Sequence, residues 1–169
     1  TGAFLVLNTG AERKRSTSRL LATIAYRVAG KTTYALEGSV LSAGSTIQWL
    51  RDELKIIRDG AHAGELAASI ADTSGVHLIP AFTGLGAPHW DTDARGAILG
   101  LQRGSTIAHI ARAALESAAF QTAELLEAMA GDGVAPQTLR VDGGMSRNDW
   151  LLQFMADILR IEVVRPKNV

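Results

Sequence analysis

The chain has 169 residues and is 47% hydrophobic, which suits one domain with a buried core and excludes disorder. Lys+Arg and Asp+Glu both number 17, so the formal net charge is zero and nucleic acid is not an expected partner. There is no Cys, which excludes disulfides, Cys-based zinc sites and a Cys nucleophile, and no apolar run is long enough to span a membrane, so no membrane partner is expected and a cytoplasmic protein is.

The sequence begins at Thr1 without a Met and stops at Val169 just after the apolar pair Val163-Val164, so both ends read as cuts in a longer chain. Phe4–Leu7 reads as a buried strand closed by the turn signal Asn8-Thr9-Gly10. Arg13, Lys14, Arg15 and Arg19 lie among Ser and Thr, a pattern of a solvated loop more than of an anion patch. Leu20–Val28 and Thr32–Leu36 flank Ala29-Gly30-Lys31 and read as a hairpin. Glu37-Gly38-Ser39 then leads into a helix from about Leu41 to Arg58, with Ile47, Leu50, Leu54 and Ile57 at helical steps. Gly44 in its first turn costs roughly 1 kcal/mol relative to Ala, for which close packing or close approach of a ligand is the reason. Gln48 lies one turn on, on the same face.

Ala61–Ala71 reads as a second helix and Val76–Phe82 as a strand. The loop from Thr83 to Asp91 follows, with Gly84, Gly86 and Pro88; His89, Asp91 and Asp93 are read as turn hydrogen bonders and not as metal ligands. Gly96–Gln102 reads as a strand, and Thr106–Ala130 as the longest helix, with a buried stripe of Ile107, Ile110, Ala114, Ala118 and Leu125. Asp132-Gly133 ends it. Next comes Thr138–Asp149, in which a strand over Leu139–Asp142 runs into Gly143-Gly144 and then into the helix Trp150–Leu159. A glycine pair lets the backbone turn and another molecule approach, while Ser146, Asn148 or Asp149 can cap the helix. Both a plain strand-to-helix turn and a seat for an anion or nucleotide fit this layout. Ile161–Val164 is a last strand. Strands first, then alternating helix and strand, make an α/β layer fold.

Several stretches agree with one family in order and spacing. They are Thr1–Phe4, Tyr34–Gly38, Ser45–Asp52, Pro80–Pro88 with Trp90-Asp91, Arg95–Ala97, His109–Ser117 and Val141–Gly144. Over nearly its whole length the chain resembles the C-terminal half of the FGGY carbohydrate kinases, in their glycerol-phosphorylating branch. The resemblance implies a ribonuclease-H-like (actin-like ATPase) α/β domain, a mixed sheet flanked by helices, incomplete at both ends and spanning 1–169. It implies transfer of the γ-phosphoryl group of MgATP to glycerol, with ATP and Mg2+ as cofactors and a homo-oligomer when intact. Thr1, Gly44, Gln48, Gly144 and Asn148 match ATP-binding positions, and Phe4 matches the ring that packs on the carbons of glycerol. No catalytic residue and no metal ligand is assigned here, because the family's general base is an Asp upstream of Thr1, in the missing N-terminal domain. Met145-Ser146-Arg147 departs from the smaller, apolar residues common at that turn. The alternatives are a kinase for another polyol or sugar and a non-catalytic actin-like ATP-binding module.

Overall fold

The computed structural model describes residues 2–167. Three strands open the chain: β1 (Ala3–Gly10), β2 (Leu21–Val28) and β3 (Lys31–Val40), in the antiparallel order β1-β3-β2. The β2–β3 turn is Ala29-Gly30, with φ of 48° and 77°. Two residues in this left-handed region match the twist of the flanking strands, so a two-residue hairpin results. β3 is longer than the sequence pattern predicts, because Glu37-Gly38-Ser39 continues the strand instead of turning. Its register shows why. Gly38 pairs with Leu5, and Leu125 of the longest helix sits where a Gly38 side chain would be, so the glycine serves packing within a strand.

The expectation of a buried Phe4–Leu7 strand is corrected. β1 has one face on the core and one in solvent: Leu5 and Leu7 pack inward, whereas Phe4 is 71% exposed and Val6 is exposed. Four consecutive apolar residues conceal the two-residue alternation that would have revealed an outward face. The inward face meets a cluster of Leu20, Leu36, Val40, Leu125 and Met129.

α1 (Gly44–Asp52) is shorter than the predicted Leu41–Arg58 helix. It starts at Gly44 itself and stops before Lys55, which adopts a positive φ of 55°. Ile57 is buried, but from the connection and not from the helix. α2 (Gly60–Ala68) follows, with Asp59 at its start accepting from His62 N at 2.8 Å. β4 (His77–Ile79) and β5 (Ala97–Leu99) form a short antiparallel pair, and α3 (Ile107–Gly131) crosses the centre of the molecule. In the loop between β4 and β5, Asp91 Oδ1 accepts from Asp93 N at 2.8 Å and Ala94 N at 3.0 Å, as turn chemistry predicts. The predicted α3 stripe is buried at Ala114, Ala118 and Leu125, but Ile107 is exposed, because it is the first helical residue and precedes the point where α3 meets its neighbours.

β6 (Thr138–Arg140) and β7 (Glu162–Val164) pair in parallel around α4 (Asp149–Leu159), so parallel and antiparallel ladders are both present. β1 and β6 flank a crevice of about 320 Å³ lined by Phe4–Leu7 and Thr138–Arg140. The basic loop after β1 is pinned at one end. The Asp132 carboxylate, at the end of α3, accepts from Thr17 N at 2.7 Å and from the hydroxyls of Ser16, Thr17 and Ser18. Burial pushes this carboxyl up, but those hydrogen bonds outweigh it and hold it below the usual range.

An alanine Cβ at position 38 would sit 2.5 Å from Leu125 Cδ2. Gly38→Ala in the full-length protein should therefore lose about 1–3 kcal/mol of stability through overpacking. The measurement is the denaturant midpoint; an unchanged midpoint would show that Leu125 is not seated against this strand.

Candidate functional site

Two helix starts face each other across a cavity of about 460 Å³, a size within the roughly 300–1,000 Å³ range of ligand pockets. One wall is α1. Gly44, Gln48 and Arg51 line it at steps of four and three residues, the spacing of one helix face. The second wall is the short 3₁₀ turn Gly144–Arg147 and Asn148 after it. Asp59, Gly60 and Ala61 at the start of α2 close one end, and Leu115 of α3 lies between the walls.

The 3₁₀ wall is built from local rules. Gly143 takes a φ of 91°, which turns the chain out of β6. The Asp142 carboxylate accepts from Gly143 N at 2.7 Å, and Ser146 Oγ donates back to Gly143 O at 2.7 Å. Arg165 donates to Ser146 O at 2.9 Å and to Asp149 Oδ1 at 2.7 Å, so the segment after β7 clamps the turn from outside. Asn148 is the cap that the sequence left open among three candidates: its Oδ1 accepts from Leu151 N at 3.0 Å. Its Nδ2 faces Gly60 O at 3.4 Å, across to α2. A Cβ at Gly64 would lie 2.8 Å from that Nδ2, so the bare Gly64 lets α2 and Asn148 approach.

Three of the described glycines, Gly60, Gly104 and Gly144, are left open by the fold, and two of them, Gly144 and Gly60, line the cavity. Neither has a positive φ, and a Cβ at either would meet no protein atom within 4 Å. The protein's own packing and backbone do not call for glycine at these two positions, yet both line the cavity. Their missing side chains keep space and bare backbone available to something else. α1 adds a second feature: no side chain caps its first turn, and no acidic residue sits there, so its free N–H groups and positive dipole end are unopposed.

Four of the sequence-predicted residues therefore line one cavity: Gly44, Gln48, Gly144 and Asn148, although the first and last lie over a hundred positions apart. Thr1 lies outside the described residues. Phe4 lines the separate β1–β6 crevice. It pairs with Ser39, and the chain at Gly2 packs on the Val40 and Leu41 backbone, so the start of β1 lies beside the strand end that leads into α1. The sequence reading missed Arg51, Asp59, Gly60, Ala61 and Arg147 as lining residues. Asp59-Gly60 ahead of a helical run carried the signal, since Asp is a preferred helix cap, but an overlong α1 obscured it. Gln48 and Arg147 are both engaged. Among the described residues no group of three or more His, Asp or Glu is placed to hold a metal. A concavity of about 550 Å³ lies at Arg13, Lys14, Arg15, Ser16, Leu20 and Ala22, on the loop after β1 and away from both helix starts. No helix of the described residues is long and apolar enough to cross a membrane.

The sequence model for the C-terminal domain of the FGGY family of carbohydrate kinases matches residues 1–169. The chain is 58% identical over 167 residues to a glycerol kinase of Alteromonas mediterranea, covering 99% of this chain and 34% of that protein. It is 57% identical to a glycerol kinase of Rhodospirillum centenum, covering 98% of this chain and 33% of that one. The chain thus spans about a third of the length of the curated relatives it matches. The crystal structure of Plasmodium falciparum glycerol kinase with ADP is similar with a TM-score of 0.90 and 40% identity, over 98% of this chain and 33% of that one. A xylulose kinase from Brucella ovis shares the fold, with a TM-score of 0.87 at 24% identity, over 100% of this chain and 34% of that one.

Because Asn148 caps α4, Asn148→Ala in the full-length protein should cost about 1 kcal/mol, whereas Asn148→Asp, which keeps the capping oxygen, should cost less. Denaturant midpoints of the two variants check this; equal losses would remove the cap from the account.

Proposed function

The chain belongs to the FGGY family of carbohydrate kinases, and from that membership we propose that it forms the nucleotide-side wall of the cleft in an ATP-dependent glycerol kinase. Its fold is the ribonuclease-H-like, actin-like ATPase fold of that family's C-terminal domains. The proposal treats residues 1–169 as one nucleotide-side domain of a cytoplasmic enzyme, with the other wall of the cleft contributed by the N-terminal domain. The observation that carries it is the bare backbone of Gly144 and Gly60, left open to the cavity without any packing or conformational reason within the protein.

The residues fit an adenine nucleotide in three ways. The uncapped first turn of α1 offers N–H groups and a positive dipole end to phosphate oxygens. Ile47, Leu115 and Met145 give apolar surface for the sugar and base. Gln48 and Asn148 bring polar side chains to opposite walls. ATP would supply the phosphoryl group that glycerol accepts, and Mg2+ bound with it would offset charge on the phosphates. This chain's share of the work is positioning and charge stabilisation, which dominate phosphoryl transfer, while an upstream Asp serves as base. Phe4, exposed on β1, offers its ring to the carbon face of glycerol. Thr1 is assigned to the phosphates on the family match alone.

The reaction itself is tested by glycerol-dependent ADP release from the full-length protein, which should cease when the matched upstream Asp becomes Asn while MgATP still binds. Release of ADP without glycerol dependence would reject this substrate. For this chain's own residues, Gly144→Val should weaken ADP binding by at least about tenfold with a folding change within about 1 kcal/mol, because Gly144 is exposed and a Cβ there meets no neighbour. Titration calorimetry with ADP decides it; wild-type affinity in a folded Gly144→Val protein would remove the site.

A further inference from the structure

The loop between β1 and β2 takes no part in the nucleotide reading, yet it holds the only run of three cations in the sequence, Arg13-Lys14-Arg15. An ordinary solvated loop relieves such a run by pairing it or by letting the chain spread. Neither happens here. Among the described residues no carboxylate lies within ion-pair distance of any of the three. The loop is also fastened at both ends. At its entry Thr9 Oγ1 donates to Glu12 O at 3.0 Å. At its exit the Asp132 carboxylate accepts from the hydroxyls of Ser16, Thr17 and Ser18, while Ser16 Oγ accepts from Leu20 N at 2.9 Å. Three like charges therefore stay together on a short held span, with the anchors offsetting their repulsion.

All three cations line the concavity of about 550 Å³ at this span, a volume within the roughly 300–1,000 Å³ range of ligand pockets. Buried Leu20 and neighbouring Ala22 give it an apolar side, which strengthens charge interactions in front of it. The two nearby carboxylates do not oppose an anion there. Asp132 is occupied by the loop's own hydroxyls, and neither it nor Glu12 lines the concavity. The chain as a whole carries no excess charge, which disfavours a long polyanion, whereas a concavity of this size suits a small one. We propose that this loop binds a small phosphate-bearing anion, with the Arg13 and Arg15 guanidiniums gripping its oxygens in pairs and Lys14 adding charge. The site shares no lining residue with the cavity between α1 and the 144–148 segment, so it stands whether or not that cavity holds a nucleotide.

The test is titration calorimetry of the full-length protein with inorganic pyrophosphate and with ribose 5-phosphate. Wild type is compared with a triple variant, Arg13→Gln, Lys14→Gln and Arg15→Gln. Loss of the charge-assisted contacts should weaken binding of both probes by at least about tenfold. Wild-type binding should also weaken with added salt, because Arg13 and Arg15 are exposed. The denaturant midpoint should match wild type; if the triple variant does not fold, the Arg13→Gln, Arg15→Gln double variant keeps the half-buried Lys14 and should still lose most of the affinity. The two probes separate the sources of the phosphate. Tighter ribose 5-phosphate places a carbon body on Leu20 and Ala22 and supports an organic ligand; tighter pyrophosphate supports an inorganic one. Equal affinity in wild type and a folded variant assigns the phosphate to another site and overturns the proposal. A wild type that binds neither probe overturns it as well, and retention of that protein on vesicles of anionic lipid would reassign the loop to a membrane surface.

Discussion

Arg112 clasps together the three helices behind the cavity. From α3 its Nε donates to Glu116 at 2.8 Å, one turn on. Its Nη1 donates to Ile70 O at 2.6 Å and reaches Ala67 O at 3.4 Å, where α2 ends. Its guanidinium lies 5.0 Å over the Trp150 ring of α4. Glu116 is buried, so removal of Arg112 would strand a carboxylate in the core, a change worth about 3–5 kcal/mol. The alanines of α3 make this arrangement possible. Ala111, Ala113, Ala114 and Ala119 are buried and small, which lets α1, α2 and α4 approach until their N-termini share one space. The cavity is thus a consequence of how closely helices pack on α3, and its lining residues come from segments that local sequence does not link.

Much of this was legible in the chain because it depends on local chemistry. The strand, Gly-Gly turn and capped helix at 138–159 follow from φ-permissive glycine and an Asn that can accept from a free N–H. Ala29-Gly30 announces the hairpin, and small residues at helical steps announce α3. What escaped depends on neighbours far away in sequence. Gly38 looks like a turn residue until Leu125 is seen resting on it. Phe4 and Val6 look like core because they alternate with Leu5 and Leu7, which are also apolar. α1 reads longer than it is because Leu54 and Ile57 keep its period beyond the point where the backbone breaks at Lys55.

The site was legible in part for the same reasons. Gly44, Gln48, Gly144 and Asn148 stood out through family resemblance and through glycine at helix starts. Arg51 and Arg147 did not, because an arginine on an exposed helix face has no sequence mark that separates cavity from solvent. Gly60 was hidden at a boundary drawn one residue late. Glycine at positive φ or under a neighbouring side chain is explained by the fold; of the three explained by neither, Gly60 and Gly144 line the cavity and Gly104 does not.

The central claim is that the first turn of α1, the start of α2 and the 144–148 segment jointly form a nucleotide site. Amide hydrogen exchange of the full-length protein with and without ADP tests it most directly. The account predicts that ADP slows exchange in all three segments together and leaves the β2–β3 hairpin tip unchanged. Protection absent from all three, or confined to the basic loop at Arg13–Arg15, would contradict it.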